Sequence, residues 1–282
     1  MTLWSISYII TTMQEDEQRR CDFLETLWRF YDQNGRSLPW RRPDQGGFDP
    51  YKVMVSELML QQTQVSRVIP KYEAFIVQFP DVQTLAAAEL GDVLRAWQGL
   101  GYNRRAKFLW QAAQMVAERG SMPNTQDGLV DLPGVGSNTA GAILAYAYNQ
   151  PSLFIETNVR TVYIHHFFSG ETNVTDKRIR AILAETLDHE HPREFYWAIM
   201  DYGTHLKATV GNASRSSKHY TKQSTFNGSR RQVRGHILRL LGTKGYVLQE
   251  LQKLINDDRL EDVLEELVTE QLVRVYNGMY VL

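Results

Sequence analysis

The sequence contains very little cysteine: Cys21 is the single one among 282 residues. One cysteine excludes an intramolecular disulfide and any metal centre held by several cysteine ligands. A lone thiol is typical of proteins in a reducing compartment, so we expect a cytoplasmic protein.

Long apolar runs are also missing. The most apolar stretch near the N-terminus, residues 4–10, is too short to span a bilayer and lacks a basic leader. We therefore expect no membrane partner, and we interpret residues 1–13 as an N-terminal extension of the first domain.

The chain has almost no net charge, with a formal value of −1, so global basicity gives no sign of a nucleic-acid partner. The distribution is uneven, however, because residues 202–249 contain nine Lys or Arg and no Asp or Glu. A basic segment in a neutral protein indicates a surface that faces a polyanion. The alternative is a solvated linker that happens to be basic.

Apolar residues at helical spacing dominate what is present, which predicts a mainly α-helical protein of about two domains. Residues 207–231 are poor in apolar side chains and are predicted to be a linker. Beyond it, Asn277-Gly278 between alternating apolar residues predicts a hairpin. Three helices before this hairpin are the order of a winged-helix domain, which we place at residues 232–282. The predicted helices are 15–33, 50–61, 65–79, 82–97, 104–118, 137–148, 156–168, 176–189, 192–206, 232–241, 247–255 and 260–270.

A tight turn, Leu132-Pro133-Gly134-Val135-Gly136, separates one helix from another that begins at Ser137. Backbone amides at such a turn and at the following helix N-terminus can hold a phosphate. An ordinary packing corner has the same pattern, and five residues alone do not distinguish the two interpretations.

Two carboxylates stand out. Glu57 lies within the apolar pattern of its helix, and a buried carboxylate has a raised pKa and can donate a proton. Glu156 follows the apolar run 153–155 and precedes a helix. The alternatives are that Glu57 faces water and that Glu156 caps the helix.

Polar and aromatic side chains at two loops suit contacts with bases. The run Gln61-Gln62-Thr63-Gln64 offers uncharged donors and acceptors, and Tyr102 in a glycine turn can stack or wedge. The alternative interpretations are that the polar run is an ordinary helix end and that Tyr102 is a packing residue.

Taken in order, several blocks resemble the helix-hairpin-helix (HhH-GPD) DNA glycosylases, the superfamily of endonuclease III, and within it most closely the MutY-type adenine DNA glycosylases. The resemblance runs from about Leu24 to His205. Its blocks are Arg36-Ser37-Leu38-Pro39-Trp40-Arg41, Pro50-Tyr51-Lys52-Val53, Ser56 to Val65, Gly99-Leu100-Gly101-Tyr102, Leu132 to Gly136, Thr139 to Ile143, and Asn158-Val159-Arg160 with Val162.

The resemblance implies a fold of two helical lobes: a six-helix lobe at about 50–160, and a second lobe from 14–49 and 161–206. It implies that Glu57 is the catalytic acid and that Glu156 stabilises an oxocarbenium-like sugar once the base has been flipped. Asn138 and Asn158 complete the implied catalytic set. The implied adenine pocket is formed by Arg36, Leu38, Trp40, Arg41 and Leu60. The implied DNA contacts are Gln61, Gln62, Thr63, Gln64, Tyr102, Asn103, Arg104, Gly134, Gly136, Ser137 and Thr139, with a monovalent cation (Na⁺ or K⁺) as an option at the hairpin backbone.

Three departures from the family pattern are visible. Glu156 stands where the family has Asp, and Asn138 stands where bifunctional relatives have a nucleophilic Lys, so strand cleavage is not expected. The four cysteines of the family's iron-sulfur cluster are absent, so no cofactor is expected. The segment 207–231 takes their place, and we expect Lys218, Lys222, Arg230 and Arg231 to contact phosphates. Residues 232–282 are too few for the Nudix-like domain of MutY.

The sequence therefore predicts a monofunctional base-excision-repair enzyme that hydrolyses the N-glycosidic bond of adenine opposite guanine or 8-oxoguanine. Its partner would be mismatched or damaged double-stranded DNA, bound by a monomer that associates with the nucleoid in a bacterial or archaeal cell. Two alternatives stay open: a thymine or uracil glycosylase acting opposite G, and a non-catalytic DNA-binding protein of the same fold.

Overall fold

The computed structural model describes residues 3–282, with side chains from residue 14 onward. The described chain is mainly helical, as predicted. Its helices are α1 (Leu3–Asn34), α2 (Pro50–Leu60), α3 (Val65–Gln78), α4 (Val82–Ala87), α5 (Leu90–Ala96), α6 (Arg104–Arg119), α7 (Gln126–Val130), α8 (Ser137–Tyr148), α9 (Thr157–Phe167), α10 (Asp176–Thr186), α11 (Pro192–Thr209), α12 (Arg230–Leu241), α13 (Leu248–Leu254) and α14 (Leu260–Thr269), with short 3-10 turns at Pro39–Arg41 and Ala213–Ser216.

The chain folds into two compact units. The first, which we call unit 1, consists of Met1–Ser37 and Leu144–Thr221. Here α11 packs against α1 and α9, and α10 packs against α9. Aromatic rings fill this core, including Phe23 on Tyr163 at 5.4 Å between ring centroids and Phe154 stacked on Tyr196 at 3.9 Å.

Unit 2 consists of Leu38–Ile143 and Lys222–Leu282. Its core includes Met54, Leu58, Trp97 and Leu109, each fully buried. Helices α4 and α5 pack against α6, and α12 packs against α14. The predicted domain limits stay predictions.

The C-terminal hairpin is confirmed at the predicted place. Strands β1 (Arg274–Tyr276) and β2 (Met279–Val281) pair antiparallel. Asn277 and Gly278 between them have φ values of 48° and 73°, the combination that a two-residue hairpin turn requires. Tyr246 adds a bridge by exchanging two backbone hydrogen bonds with Tyr280, at 3.1 and 2.8 Å.

Two helix predictions need correction. The predicted helix 82–97 is two helices, because the Ala88 carbonyl accepts a hydrogen bond from the Trp110 indole at 2.9 Å instead of continuing the helix. The first helix begins at Leu3 rather than at residue 15, and no Pro or Gly interrupts it. The side chains of the predicted extension, residues 1–13, lie outside the described residues.

Among the described residues, no helix has both the length and the apolar character needed to cross a membrane.

Candidate functional site

The glycine turn lies between α7 and α8 and has one buried side and one exposed side. Leu132 and Val135 are buried, and the Val135 amide donates to the Leu132 carbonyl at 3.1 Å. Gly134 has a φ of 79°, and a Cβ there would lie 2.8 Å from the Cβ of Phe108. Only glycine fits both restrictions. The apolar pair anchors the turn as a packing corner, while Gly136 and the start of α8 remain exposed.

Glu57 is half-buried on α2, between the buried residues Ser56 and Leu58. The helix begins at Pro50, and the Asp49 carboxylate caps it by accepting from the Tyr51 amide at 2.8 Å. The buried residues of α2 are all uncharged. The Glu57 carboxylate is therefore partly withdrawn from solvent beside uncharged buried residues.

Directly after α2, the predicted base-reading run divides into anchored and exposed residues. Gln61 donates to the Thr139 hydroxyl of α8 at 3.3 Å, and the Thr63 hydroxyl donates to the Gln61 carbonyl at 3.2 Å. Gln62 and Gln64 are exposed, and Gln62 has a φ of 55°. The run is therefore a fixed loop that presents two glutamines.

Arg105 holds this loop, and sequence reasoning missed it. Its side chain is buried, and its guanidinium donates to seven oxygen atoms. Burial lowers the pKa of Arg105 to about 10, so the group stays charged at neutral pH. Basic residues are rarely buried without a carboxylate, so the pattern gave no signal. The acceptors are the carbonyls of Leu58, Met59, Gln61, Leu100, Gly101 and Tyr102 and the hydroxyl of Thr63.

Tyr102, the predicted wedge, is held on several sides. Its φ is 47°, and its ring lies 5.5 Å from the guanidinium of Arg105 and 5.6 Å from that of Arg231. Its hydroxyl accepts from Arg231 at 2.7 Å and also from the Gln223 amide. The ring still presents over a third of its surface to solvent. Two neighbouring residues in the predicted set, Asn103 and Arg104, begin α6, and Arg104 pairs with Glu270 at 2.7 Å.

The predicted adenine-pocket residues divide between the two units. In unit 2, Leu38 and Trp40 are buried, while Arg41 and Leu60 are half-buried. The Trp40 ring meets Tyr72 edge-on at 5.4 Å and borders a cavity of about 130 Å³.

Arg36 belongs to unit 1 and has a structural partner there. Its guanidinium bonds the buried carboxylate of Asp201 at 2.7 Å, and its backbone amide donates to the same group at 2.8 Å. Its predicted role in the pocket stays a prediction.

Glu156 occupies the N-cap position of α9, but its side chain makes no capping hydrogen bond. Burial raises the pKa of its carboxyl, while the charges of Arg160 and Lys207 act in the opposite direction. Asn158, two residues further along the chain, accepts from the Lys207 ammonium at 2.7 Å. Unit 1 thus places a carboxylate with a raised pKa beside two cations.

The predicted phosphate contacts are of two kinds. Lys218 and Lys222 are exposed. Arg230 instead pairs with Glu266 at 2.6 Å, and Arg231 bonds Tyr102 and the Ser224 carbonyl. The acidic face of α14 therefore neutralises basic side chains of its own unit.

Two other predicted residues, Ser137 and Asn138, lie exposed at the start of α8. Their predicted roles stay predictions. In the part of the chain that the structure describes, no group of three His, Cys, Asp or Glu side chains is arranged to hold a metal ion. The cation at the hairpin backbone stays a prediction.

Comparison with known proteins gives a consistent family. Residues 55–189 match the model of the HhH-GPD superfamily base excision DNA repair proteins. An adenine DNA glycosylase of Mycobacterium tuberculosis is 32% identical over 286 residues, covering 91% of this chain and 92% of that protein. An adenine DNA glycosylase of Buchnera aphidicola is 32% identical over 229 residues, covering 77% of this chain, which spans only 63% of that relative. Among solved structures, a thermostable thymine-DNA glycosylase has the same fold, with a TM-score of 0.59 at 24% identity over 67% of this chain and 87% of that one.

Proposed function

The chain belongs to the HhH-GPD superfamily of base excision DNA repair proteins and, within it, to the adenine DNA glycosylase family, and from that premise we propose that it removes mispaired adenine from DNA. The reaction is hydrolysis of the N-glycosidic bond opposite G or 8-oxoguanine, without cleavage of the strand. One observation of the structure supports it most: Glu57 is half-buried in an apolar helix that runs directly into the fixed glutamine loop.

Adenine is a poor leaving group until it is protonated, so the reaction needs an acid whose carboxyl group is kept from full solvation. We assign Glu57 to this step and to the activation of water. Loss of the base leaves positive charge on the sugar, and the Glu156 carboxylate stabilises it, as the second carboxylate does in glycoside hydrolysis.

The target base must leave the stack before it can react. In this proposal Tyr102 enters the duplex, and Gln62 and Gln64 face the base that remains. The exposed amides at Gly136 and the start of α8 bind the phosphate backbone.

The test of this proposal is a strand-cleavage assay on duplexes with A opposite 8-oxoguanine, A opposite G, T opposite G and U opposite G, each followed by alkali. We expect cleavage of the adenine duplexes, and only after alkali. Glu57→Gln should abolish base release and keep duplex affinity, since amide and carboxyl have the same size. The matched control is Glu73→Gln, on the exposed side of α3.

The same assay distinguishes the alternatives. Cleavage of only the T:G and U:G duplexes would replace adenine by a pyrimidine as the target. Binding to mismatches without release of any base would make the protein a non-catalytic binding module.

The exposed lysines Lys218 and Lys222 are assigned to DNA phosphates, because Arg230 already has an acidic partner in the fold. Lys218→Glu with Lys222→Glu should weaken affinity for every duplex and flatten its salt dependence by about 0.9 log units per log unit of salt for each phosphate that is no longer neutralised. The control is Lys177→Glu with Lys253→Glu, two exposed lysines with the same charge change. An equal loss of affinity in both double variants would contradict a local role and leave only a net-charge effect.

A further inference from the structure

One lysine near Glu156 has no role in the proposed reaction so far. Lys207 lies on the last turns of α11, half-buried, and its Nζ donates to Oδ1 of Asn158 at 2.7 Å. Burial lowers the pKa of Lys207, and the nearby charge of Glu156 raises it. Partial burial of a lysine ammonium group costs free energy unless an opposite charge lies close to it.

Asn158 is held tightly between α9 and α11. Its amide nitrogen lies 3.4 Å from Sδ of Met200. A Cβ at Gly203 would lie 2.8 Å from the Cβ of Asn158, so the two helices meet here at backbone distance. The Lys207 ammonium is the donor that fixes which way the Asn158 oxygen points.

The second cation near Glu156 has a partner of opposite charge. Arg160 bonds both oxygens of Asp176, at 2.8 and 2.7 Å. This ion pair offsets part of the Arg160 charge, whereas Lys207 donates to a neutral amide oxygen, and both cations act to lower the pKa of Glu156.

Several of the remaining charged or titratable groups on the elements around α9 have partners in unit 1, while Arg215 is exposed and the ring of His165 lies 4.9 Å from that of His166. His166 is kept neutral near pH 7 because burial lowers its pKa to about 4, and it lies 3.0 Å from the Tyr202 hydroxyl. The others are Asp201 with Arg36, Arg19 with the His166 carbonyl, Arg180 with the Leu153 carbonyl, Arg178 with Glu171, and His205 against the rings of Phe30 and Tyr202.

We propose that Lys207 is a positioning residue of the glycosylase reaction, whose ammonium group orients Asn158 and keeps the half-buried Glu156 carboxylate ionised. The inference rests on the proposed function, because the rate of base release is the measurement that depends on the charge of Glu156. It does not require Lys207 to touch the DNA.

The sign of the effect follows from the electrostatics. A cation lowers the pKa of a neighbouring carboxyl group, so removal of the Lys207 charge should raise the pKa of Glu156 further. Base release needs ionised Glu156 and protonated Glu57, so its pH profile has an acid limb from Glu156 and an alkaline limb from Glu57. Only the acid limb should move.

The experiment measures single-turnover adenine release against pH for the wild type and three variants. Lys207→Met removes the charge and the donor, Lys207→Gln keeps a donor without charge, and Lys207→Arg keeps both. For Met and Gln we expect the acid limb to move up by about one pH unit, the low end of the effect of an adjacent opposite charge. Below that limb, release should then be about tenfold slower, with Lys207→Arg close to the wild type. The matched control is Lys177→Met, an exposed lysine of the same unit, with an unchanged profile.

A general loss of structure would lower the rate at every pH without moving the limb, and such a result would overturn the proposal. So would an unmoved limb in Lys207→Gln, which is the least disruptive of the uncharged variants. If the wild type releases no adenine from any duplex, the proposed function fails before Lys207 is tested. The two failures are therefore distinguishable, and melting temperatures of all variants identify any that do not fold.

Discussion

Arg105 allows the sharpest prediction of stability in this protein. One guanidinium joins the end of α2, the glutamine loop and the turn before α6, and all seven of its acceptors are neutral oxygens. Replacement by Met keeps much of the apolar volume of the side chain but removes every donor. The oxygens it leaves behind cannot all reach water.

The size of the loss can be worked out from the buried acceptors. Three of the hydrogen bonds are fully buried, those to the carbonyls of Leu58, Met59 and Leu100. The Leu100 carbonyl can still accept from the Thr63 hydroxyl at 3.4 Å, so the carbonyls of Leu58 and Met59 are the two that lose their partner. An acceptor left unpaired in the interior costs about 1–3 kcal/mol, so two of them give about 2 kcal/mol as a lower bound. For a chain of this size, that loss lowers the melting temperature by about 4 °C or more.

The assay is thermal unfolding of Arg105→Met beside Arg104→Met. Arg104 is the adjacent residue and carries the same charge, but its side chain is 63% exposed in its pair with Glu270. An exposed ion pair contributes about 1 kcal/mol at most, so the Arg104 variant should melt close to the wild type. Equal melting temperatures for the two variants would refute the reasoning, because they would mean that water or rearrangement satisfies the stranded carbonyls.

Two further predictions concern other contacts of the site. Tyr102→Phe removes the oxygen that accepts from Arg231 at 2.7 Å, at a cost of about 1 kcal/mol. We expect amide hydrogen exchange in residues 222–231 to become faster, while the melting temperature changes little. Unchanged exchange would show that this contact does not hold the segment. Asp201→Ala removes the buried carboxylate but leaves Arg36 30% exposed, so we expect the loss of a charged hydrogen bond, about 1.5–3 kcal/mol of the free energy of unfolding in denaturant titrations. A loss below about 1 kcal/mol would mean that this pair is not structural.

The helices and the C-terminal hairpin could be predicted from the sequence because their signals are local. Apolar spacing marks a helical face, and Asn277-Gly278 has the backbone preferences of its turn. The break after α4 could not be predicted in this way, since the Ala88 carbonyl is taken by an indole 22 residues away. Local propensity continues the helix, and a tertiary hydrogen bond stops it.

The same distinction applies to the candidate site. Glu57 and Glu156 could be singled out as candidates from the sequence, because a carboxylate within or directly after an apolar run is unusual. Their catalytic roles came from the family resemblance and stay a proposal. Arg105 and the Arg231–Tyr102 contact were not found, because their meaning comes from partners distant in sequence. Tyr102 and Arg231 are 129 positions apart, and no spacing rule connects them.

The proposed reaction needs protonated Glu57 and ionised Glu156 at the same pH, and the two side chains lie in different surroundings. Glu57 lies among uncharged buried residues of its own helix, and in the proposed reaction it supplies the proton. Glu156 is half-buried, and its partial loss of solvent raises its pKa, yet Arg160 and Lys207 oppose that shift. Different environments for two carboxyls are the physical means by which a single pH supplies both an acid and an anion. Of the two cations, Arg160 has the larger effect on the pKa of Glu156 and is itself paired with Asp176, and Lys207 adds a second positive charge that acts in the same direction.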